Sequence, residues 1–224
     1  MESHGLRIEN TDFKSIADRC MEKARGGNVV EFKSEHQTQR INDLETPKAY
    51  KDCSFDNFKG NEKLIEELNK LITSDGIVLR GNTGCGKTHL AIAMGKLIPA
   101  EWRSTRSGGL IPGAIFTTAP ELLLKIRSSF QDGAGQTEEG LIDYYSGCSL
   151  LILDDLGSEK TSEFAVTTLY IILDRRLRDC RKTIITTNLN KEEIDKTFGA
   201  RIASRLAGME NIKINMPDYR KKRS

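Results

Sequence analysis

The sequence lacks the features that mark several classes of protein. None of its 224 residues lies in an apolar run that approaches the about 18 residues needed to span a membrane. The five cysteines are widely spaced and contain no C-x-x-C pair, which argues against a zinc site and a disulfide framework. The N-terminal residues are polar, without an apolar signal core. We therefore expect a cytoplasmic protein with reduced thiols and no membrane partner.

Net charge is also small. The 34 Lys and Arg residues against 32 Asp and Glu residues leave a charge of +2 at pH 7. Such a protein has no global field that attracts nucleic acid, so any such binding must come from local patches. The 38% of hydrophobic residues is typical of a globular protein. The length allows one domain with a short appendage.

One glycine-rich stretch matches a phosphate-binding motif at every fixed position. It reads GNTGCGKT and spans Gly81–Thr88. The apolar stretch Gly76–Arg80 before it predicts a buried strand, and His89–Leu97 after it predicts a helix. Strand, loop and helix in this order are the context that the motif requires. We therefore predict a P-loop, in preference to a glycine-rich turn without a ligand.

The residue types of this loop suit the phosphates of a nucleotide. Glycines let backbone N–H groups turn inward because no Cβ blocks their approach, and the following helix points the positive end of its dipole at the same place. Lys87 supplies a mobile charge for the β- and γ-phosphates, and the Thr88 hydroxyl can ligand Mg²⁺. We predict ATP and Mg²⁺ as ligands. The predicted nucleotide-binding residues are Gly81, Asn82, Thr83, Gly84, Cys85, Gly86, Lys87, Thr88 and His89.

Polar residues also end two other apolar stretches. Ser149–Leu153 leads into Asp154 and Asp155, which predicts a buried parallel strand whose carboxyl end reaches a site. Alone, this pattern would fit a strand end with a helix cap. Beside a P-loop, we predict that Asp154 takes the metal and that Asp155 is the general base. Asn188 follows the predicted strand Thr183–Thr187. It either hydrogen-bonds the γ-phosphate or the attacking water, or is an ordinary turn residue.

The remaining segments are less specific. Residues 1–50 are predicted as a polar tail with one amphipathic helix, Asp12–Ala24, and serve either as a mobile linker or as a docking segment for a partner. Residues 51–224 are the predicted folded core. Pro99–Gly113 is predicted as an exposed loop. The predicted helix Glu163–Cys180 ends in a cluster of basic residues. Such a cluster is either a solvated face of the helix or a surface that contacts a neighbouring subunit or phosphates. This cluster consists of Arg175, Arg176, Arg178, Arg181 and Lys182.

Seven segments occur together in the order of a known family. They are Phe55–Phe58, Gly81–Thr88, Phe116–Leu123, Leu150–Gly157, Thr186–Leu189, Arg201–Leu206 and Asp218–Arg220. Over about residues 50–220 the chain resembles the AAA+ ATPases of the DnaC/DnaI helicase-loader and IstB transposition-helper group. The resemblance implies an α/β P-loop NTPase core of three α/β/α layers. It also implies a mainly parallel five-stranded sheet and a reduced C-terminal lid.

The resemblance also implies residue roles. Asn188 matches the sensor 1 position, and Arg205 matches an arginine finger that reaches the nucleotide of the next subunit of an oligomer. Arg220 matches the sensor 2 arginine. Lys125 and Arg127 lie in a segment that corresponds to a helical insertion for single-stranded DNA. The predicted catalytic residues are therefore Asp155, Asn188, Arg205 and Arg220.

The function that the resemblance implies is that of a helicase loader in DNA replication. Such a protein is a Mg²⁺-dependent ATPase, producing ADP and phosphate, with a replicative helicase and single-stranded DNA as partners. Asp155 stands where many AAA+ proteins have Glu, so hydrolysis is expected to be slow and to depend on assembly. The alternative is an IstB-like transposition helper with a transposase partner. A small-molecule P-loop kinase and a non-catalytic ATP switch are the rivals from other classes.

Overall fold

The computed structural model describes residues 44, 46–59, 61–104, 110–130, 136–159 and 161–219. The predicted helix Asp12–Ala24 and Arg220 lie outside these residues. Among the described residues, packing begins at Leu44, which is buried, and Tyr50 packs against the same core. The core therefore includes residues ahead of position 51, and the role of residues 1–50 stays a prediction.

The secondary structure alternates between helices and strands through most of the described chain. The helices are α1 (Glu62–Leu71), α2 (Lys87–Leu97), α3 (Ala119–Ser128), α4 (Glu138–Gly147), α5 (Glu163–Arg178), α6 (Lys191–Phe198) and α7 (Ala200–Ala207). The strands are β1 (Gly76–Gly81), β2 (Arg103–Ser104), β3 (Leu110–Ile111), β4 (Ala114–Thr118), β5 (Leu150–Leu156), β6 (Lys182–Thr187) and β7 (Glu210–Ile214). Across the described ranges, none of these helices has the length and apolarity to cross a membrane.

Five strands form one sheet in the order β4-β5-β6-β1-β7, and every neighbouring pair is parallel. The carboxyl ends of parallel strands meet at the same edge of a sheet, where α/β proteins bind ligands. Because β6 lies between β1 and β5, the segments that follow these three strands are neighbours. The P-loop, the carboxylate pair and Asn188 therefore meet at one edge.

The sheet has an apolar layer on each face because successive strand residues point to opposite sides. On β1, Ile77 and Leu79 pack in one cluster with α1 and α2, whereas Val78 packs in the other with α3 to α7. Strand β5 divides in the same way, with Ile152 in the first cluster and Leu153 in the second. These two layers around a parallel sheet confirm the predicted three-layer α/β/α fold.

Side-chain caps set the starts of several helices. Asn61 accepts a hydrogen bond from the Leu64 N–H and caps α1, as its position before an apolar helical face predicts. Thr118 and Glu121 form a reciprocal capping box at the start of α3. This box links the end of β4 directly to α3, which begins at Ala119.

The prediction of an exposed loop for Pro99–Gly113 holds at Pro99, Glu101 and Trp102, which are exposed, but is wrong at Ala100 and Ile111. Strands β2 and β3 pair in an antiparallel ladder, in which Arg103 lies opposite Ile111. Ala100 and Ile111 are buried. The high content of Arg, Ser and Gly in this segment obscured these isolated apolar residues, which join the two ends to the core.

The prediction of a solvated face is wrong for Arg176, which has no exposed surface. Its Nη1 donates to the carbonyl oxygens of Tyr145 and Cys148, both at 2.9 Å. Its Nε donates to Thr183 Oγ1 at 2.9 Å, and its Nη2 donates to the Lys182 carbonyl at 2.6 Å. The guanidinium thus satisfies carbonyls at the end of α4 that lack partners within the helix.

Lys182 is also buried, with its Nζ at the carboxyl end of α1. It donates to the carbonyl oxygens of Ile72, Thr73 and Ser74 at 3.2, 2.7 and 3.2 Å. The ammonium therefore binds the carbonyls of the turn that follows α1 and interacts favourably with the dipole of that helix. Two members of the predicted surface cluster join helix ends to the sheet instead.

Candidate active site

The P-loop has a backbone that only glycine adopts without strain. Gly84 and Gly86 have φ values of +77° and +95°, and Gly86 immediately precedes α2. A Cβ at Gly84 would overlap the carboxylate of Asp218, and one at Gly86 would lie 2.6 Å from the Phe58 ring. Both glycines are therefore required by backbone conformation and by space. The loop ends at the start of α2, and the N-terminus of a helix favours anions.

Lys87 connects the P-loop to the end of β6. Its side chain is only 5% exposed, and its Nζ donates to the carbonyl oxygens of Gly81 and Asn82, both at 3.0 Å. The third hydrogen bond, of 2.6 Å, goes to Asn188 Oδ1. These three acceptors use all three donors of an ammonium. The structure thus brings the predicted lysine and the predicted sensor into direct contact.

Asp154 lies at the centre of the site and is 3% exposed. The Thr88 hydroxyl donates to its two carboxylate oxygens at 3.0 and 3.1 Å, and the Thr186 hydroxyl donates to Oδ1 at 2.6 Å. Burial raises the pKa of Asp154, and the hydrogen bonds from Thr186 and Thr88 oppose that rise. The carboxylate is thus held in a fixed place at a cost in free energy.

Thr88 and Asp154 fit a magnesium site. Mg²⁺ is usually held by one or two protein oxygens together with water and substrate phosphates. The Thr88 hydroxyl and the Asp154 carboxylate are such oxygens, and they are already within hydrogen-bond distance of each other. Among the residues that the structure describes, no group of three or more His, Cys, Asp or Glu side chains could hold a metal by itself.

Asp155 departs from the regular strand. Its φ is +54°, and the register of β5 against β6 shifts between Leu153 and Leu156. Aspartate tolerates this left-handed conformation better than most residues. The Asp155 N–H donates to Thr186 Oγ1 at 2.9 Å instead of joining the ladder. The bulge leaves Asp155 partly exposed next to the buried Asp154.

Aromatic side chains border the other side of the P-loop. Phe58 is buried, with ring centroids 5.4 Å from His89 and 5.9 Å from Tyr219. His89 Nε2 lies 2.8 Å from the Ser54 carbonyl oxygen, and the Tyr219 N–H donates to the Gly84 carbonyl at 3.0 Å. The His89 side chain thus holds the segment before α1 against α2, while Tyr219 holds the chain after β7 against the loop.

Arg205 lies on α7 and is bound to α5. Its Nη2 donates to Asp174 Oδ1 at 2.7 Å and to the Tyr170 hydroxyl at 3.1 Å, and the guanidinium lies 4.8 Å from the centre of the Tyr170 ring. The hydrogen bond with Asp174 raises the pKa of Arg205. These contacts hold the predicted finger on α5 rather than on the P-loop of its own chain.

The predicted DNA-contacting residues lie on the exposed side of α3. Lys125 Nζ is 5.4 Å from the centre of the Tyr144 ring, and the Arg127 guanidinium is 5.6 Å from that of Phe164. Both basic side chains are exposed, as is the neighbouring Leu124 at 69%. The structure therefore places two positive charges together on one surface.

Sequence reasoning missed the contributions of Thr186 and Asp174. The predicted strand contained Thr186 without a role, and Asp174 lay unremarked within a predicted helix. Their partners are 32 and 31 positions away along the chain. No local pattern encodes such pairings, so only the folded structure identifies them.

We expect Asp154→Asn to stabilise the protein in EDTA without nucleotide. The substitution removes a buried charge and keeps an oxygen for the Thr186 hydroxyl. A gain of about 1 kcal/mol would raise Tm by roughly 2–4 °C in a domain of this size. Asp195→Asn, a change at an exposed carboxylate, should leave Tm unchanged. Thermal unfolding followed by circular dichroism measures both.

The raised pKa of Asp154 also sets how the stability of the protein changes with pH. A carboxyl whose pKa is raised on folding holds its proton longer in the folded state, so the wild-type protein loses stability as the pH rises through its ionisation. Asp154→Asn should lack that loss. A variant with a lower Tm than the wild type at neutral pH would show that the ionised carboxylate stabilises the fold.

The family model described as IstB-like ATP binding protein matches residues 17–224. Two curated relatives carry the name replicative helicase loader DnaC. The protein of Buchnera aphidicola (subsp. Acyrthosiphon pisum) is 29% identical over 168 residues, and that of Escherichia coli K12 is 26% identical over 168 residues. Each match covers 70% of this chain and 64% of the relative. The chain thus spans 64% of the length of these relatives.

Solved structures show the same fold. A crystal structure of the DnaC helicase loader superimposes with a TM-score of 0.61 at 20% identity, covering 75% of this chain and 100% of that one. The crystal structure of DnaI gives 0.61 at 22% identity, covering 77% and 96%. The initiator DnaA bound to AMPPCP and single-stranded DNA gives 0.61 at 19% identity, covering 76% and 51%. Because the family model covers most of the sequence, the chain belongs to the family of IstB-like ATP binding proteins.

Proposed function

We propose that this chain hydrolyses ATP in order to load a replicative helicase onto single-stranded DNA. The proposed ATPase activity is supported by the side chains that meet where β1, β5 and β6 end. Lys87 contacts Asn188 at 2.6 Å, and Thr88 contacts Asp154 at 3.0 Å. The helicase part is supported by the names of relatives 26–29% identical to this chain. The chain spans 64% of the length of those relatives, and we propose the helicase as its partner on the strength of their names.

Each residue of the edge has a task in this chemistry. The P-loop N–H groups and Lys87 hold the β- and γ-phosphates of ATP. Thr88 and Asp154 would hold Mg²⁺, which when bound neutralises charge on those phosphates. Asp155 accepts a proton from the attacking water, while Asn188 orients that water or the γ-phosphate. The products are ADP and phosphate.

Arg205 makes hydrolysis depend on assembly. In the single chain its guanidinium is bound to Asp174 and Tyr170. In an oligomer with the nucleotide at the subunit interface, Arg205 reaches the phosphates of a neighbour and stabilises the charge that develops there. This exchange of partners keeps the isolated chain slow. The tasks of Arg205, and of Arg220 as a sensor on the same nucleotide, rest on the family resemblance.

An IstB-like transposition helper is the second candidate, and the matching family model favours it. The same ATPase edge would serve either protein, so the difference lies in the partner. A small-molecule kinase is less well supported, because the bound guanidinium on α7 suits a site shared between subunits. Transfer of the γ-phosphate to a small-molecule acceptor, instead of its release as free phosphate, would favour the kinase function.

Two inactive variants should restore each other if the site is shared. Lys87→Ala removes phosphate binding and keeps Arg205, whereas Arg205→Ala removes the finger and keeps the P-loop. Each alone should lose most ATP turnover, and an equimolar mixture should recover a measurable part of it. Phosphate release at several protein concentrations provides the measurement. Arg201→Ala, four residues away on α7, is the matched control and should turn over normally.

A mixture no more active than its components would place the finger elsewhere. Arg205→Ala must also be compared with the wild type by thermal unfolding, because it removes the hydrogen bonds to Asp174. Normal turnover by Arg205→Ala alone would show a self-contained site.

Lys125 and Arg127 should contribute to single-strand binding through phosphate contacts. Changing both to Ala should weaken binding to a labelled oligonucleotide and lower the slope of log K against log salt by up to about 1.4, because each single-strand contact contributes about 0.7. Anisotropy titrations at several salt concentrations measure this. Lys63→Ala with Lys70→Ala, exposed on α1, is the control. An equal slope in both double variants would show that Lys125 and Arg127 are ordinary solvated residues without a contact to DNA.

Partner binding separates the two candidate functions. The full chain should co-elute with the purified replicative helicase of its own host, in an ATP-dependent manner, during size-exclusion chromatography. Lys87→Ala should reduce this co-elution. Co-elution with a transposase from the same source, and none with the helicase, would favour the IstB-like role.

A further inference from the structure

Thr186 connects the two aspartates of the site. It lies near the carboxyl end of β6 and has no exposed surface. Its hydroxyl donates to Asp154 Oδ1 at 2.6 Å and accepts from the backbone N–H of Asp155 at 2.9 Å. A hydroxyl has one proton and two lone pairs, so it makes both bonds at once. One oxygen therefore fixes the side chain of one aspartate and the backbone of the next.

The bond from Asp155 also leaves the Thr186 hydroxyl proton available to Asp154. The N–H of Asp155 occupies a lone pair of the hydroxyl, because a backbone amide can only donate. The hydroxyl proton is then free to point at Asp154, where the short distance shows that it is used. Thr186 thus favours the acceptor form of the carboxylate that would hold the metal.

The backbone bond supports the bulge of β5. Asp155 has a φ of +54°, and its N–H has left the regular ladder between β5 and β6. A left-handed residue and an N–H without an acceptor are each unfavourable. Thr186 Oγ1 supplies the missing acceptor, so the bulge can hold the second carboxylate partly exposed beside the buried one.

We propose that Thr186 is a positioning residue for ATP hydrolysis. It sets the orientation of the metal-binding Asp154 and the place of the base Asp155 through one hydroxyl. The inference rests on the proposed ATPase function and extends it to a residue without a role in nucleotide contact. Residues that orient metal ligands typically influence metal affinity or activity by about 10–100-fold.

The next residue provides a matched control. Thr187 is equally buried, and its hydroxyl donates to the Leu156 carbonyl at 2.6 Å and accepts from the Leu189 N–H at 3.1 Å. It makes the same kinds of bond in the same strand but contacts neither carboxylate through them. Changes of Thr186 and Thr187 to Val therefore remove comparable bonds from the core and differ in their connection to the site.

The test compares Thr186→Val with Thr187→Val, and Thr186→Ala with Thr186→Ser. Three quantities are measured on the full chain: Tm, ATP turnover, and the Mg²⁺ concentration at half-maximal binding of a fluorescent non-hydrolysable ATP analogue. Both Val variants should lower Tm. Only Thr186→Val should lower kcat and raise the Mg²⁺ midpoint, each by about 10-fold or more. Thr186→Ser keeps the hydroxyl, so its kcat and Mg²⁺ midpoint should lie within about threefold of the wild-type values. Thr186→Ala should resemble Thr186→Val in both quantities.

Each outcome decides between positioning and structure. If Thr186→Val and Thr187→Val share the same kcat and Mg²⁺ midpoint, Thr186 is only a core residue. If Thr186→Val does not fold, equal values for Thr186→Ala and Thr186→Ser overturn the proposal. A wild-type chain without ATP turnover refutes the proposed function, whereas the Mg²⁺ midpoints still test Thr186.

Discussion

The site depends on the burial of one carboxylate among hydroxyl groups. Asp154 is kept from water, which is unfavourable for a charge unless hydrogen bonds replace those lost. Its partners come from α2, through Thr88, and from β6, through Thr186. Both can reach it only because β6 lies between β1 and β5 in a parallel sheet. The strand order is therefore the geometric requirement behind the candidate chemistry.

The same edge collects several features that would be unfavourable elsewhere. Asp155 has a left-handed backbone, Asp154 has a raised pKa, and Lys87 has a nearly buried ammonium. Strain of this kind persists only where the surrounding structure over-determines it. Here the apolar layers on both faces of the sheet supply that support. Substitutions that relieve the strain are expected to favour stability over function.

Much of the fold could be predicted because its signals are local. The apolar run that ends at Leu153, the P-loop spacing and the Asn61 cap each lie within a few residues. The burial of Arg176 could not be predicted, because the carbonyl oxygens of Tyr145 and Cys148 that it contacts lie 31 and 28 positions away along the chain. Helix α6 was missed because its sequence is mostly polar, with only Ile194 and Phe198 buried. The role of Thr186 was hidden for the same reason as that of Arg176.

The buried guanidinium of Arg176 has a consequence for how this part of the chain folds. Its acceptors belong to α4 on one side of α5 in sequence and to β6 on the other. If α5 docked before both, it would bury a charge with too few acceptors, which is strongly unfavourable. Residues 138–187 should therefore assemble as one cooperative unit, and their amide protons should exchange through a shared opening rather than strand by strand.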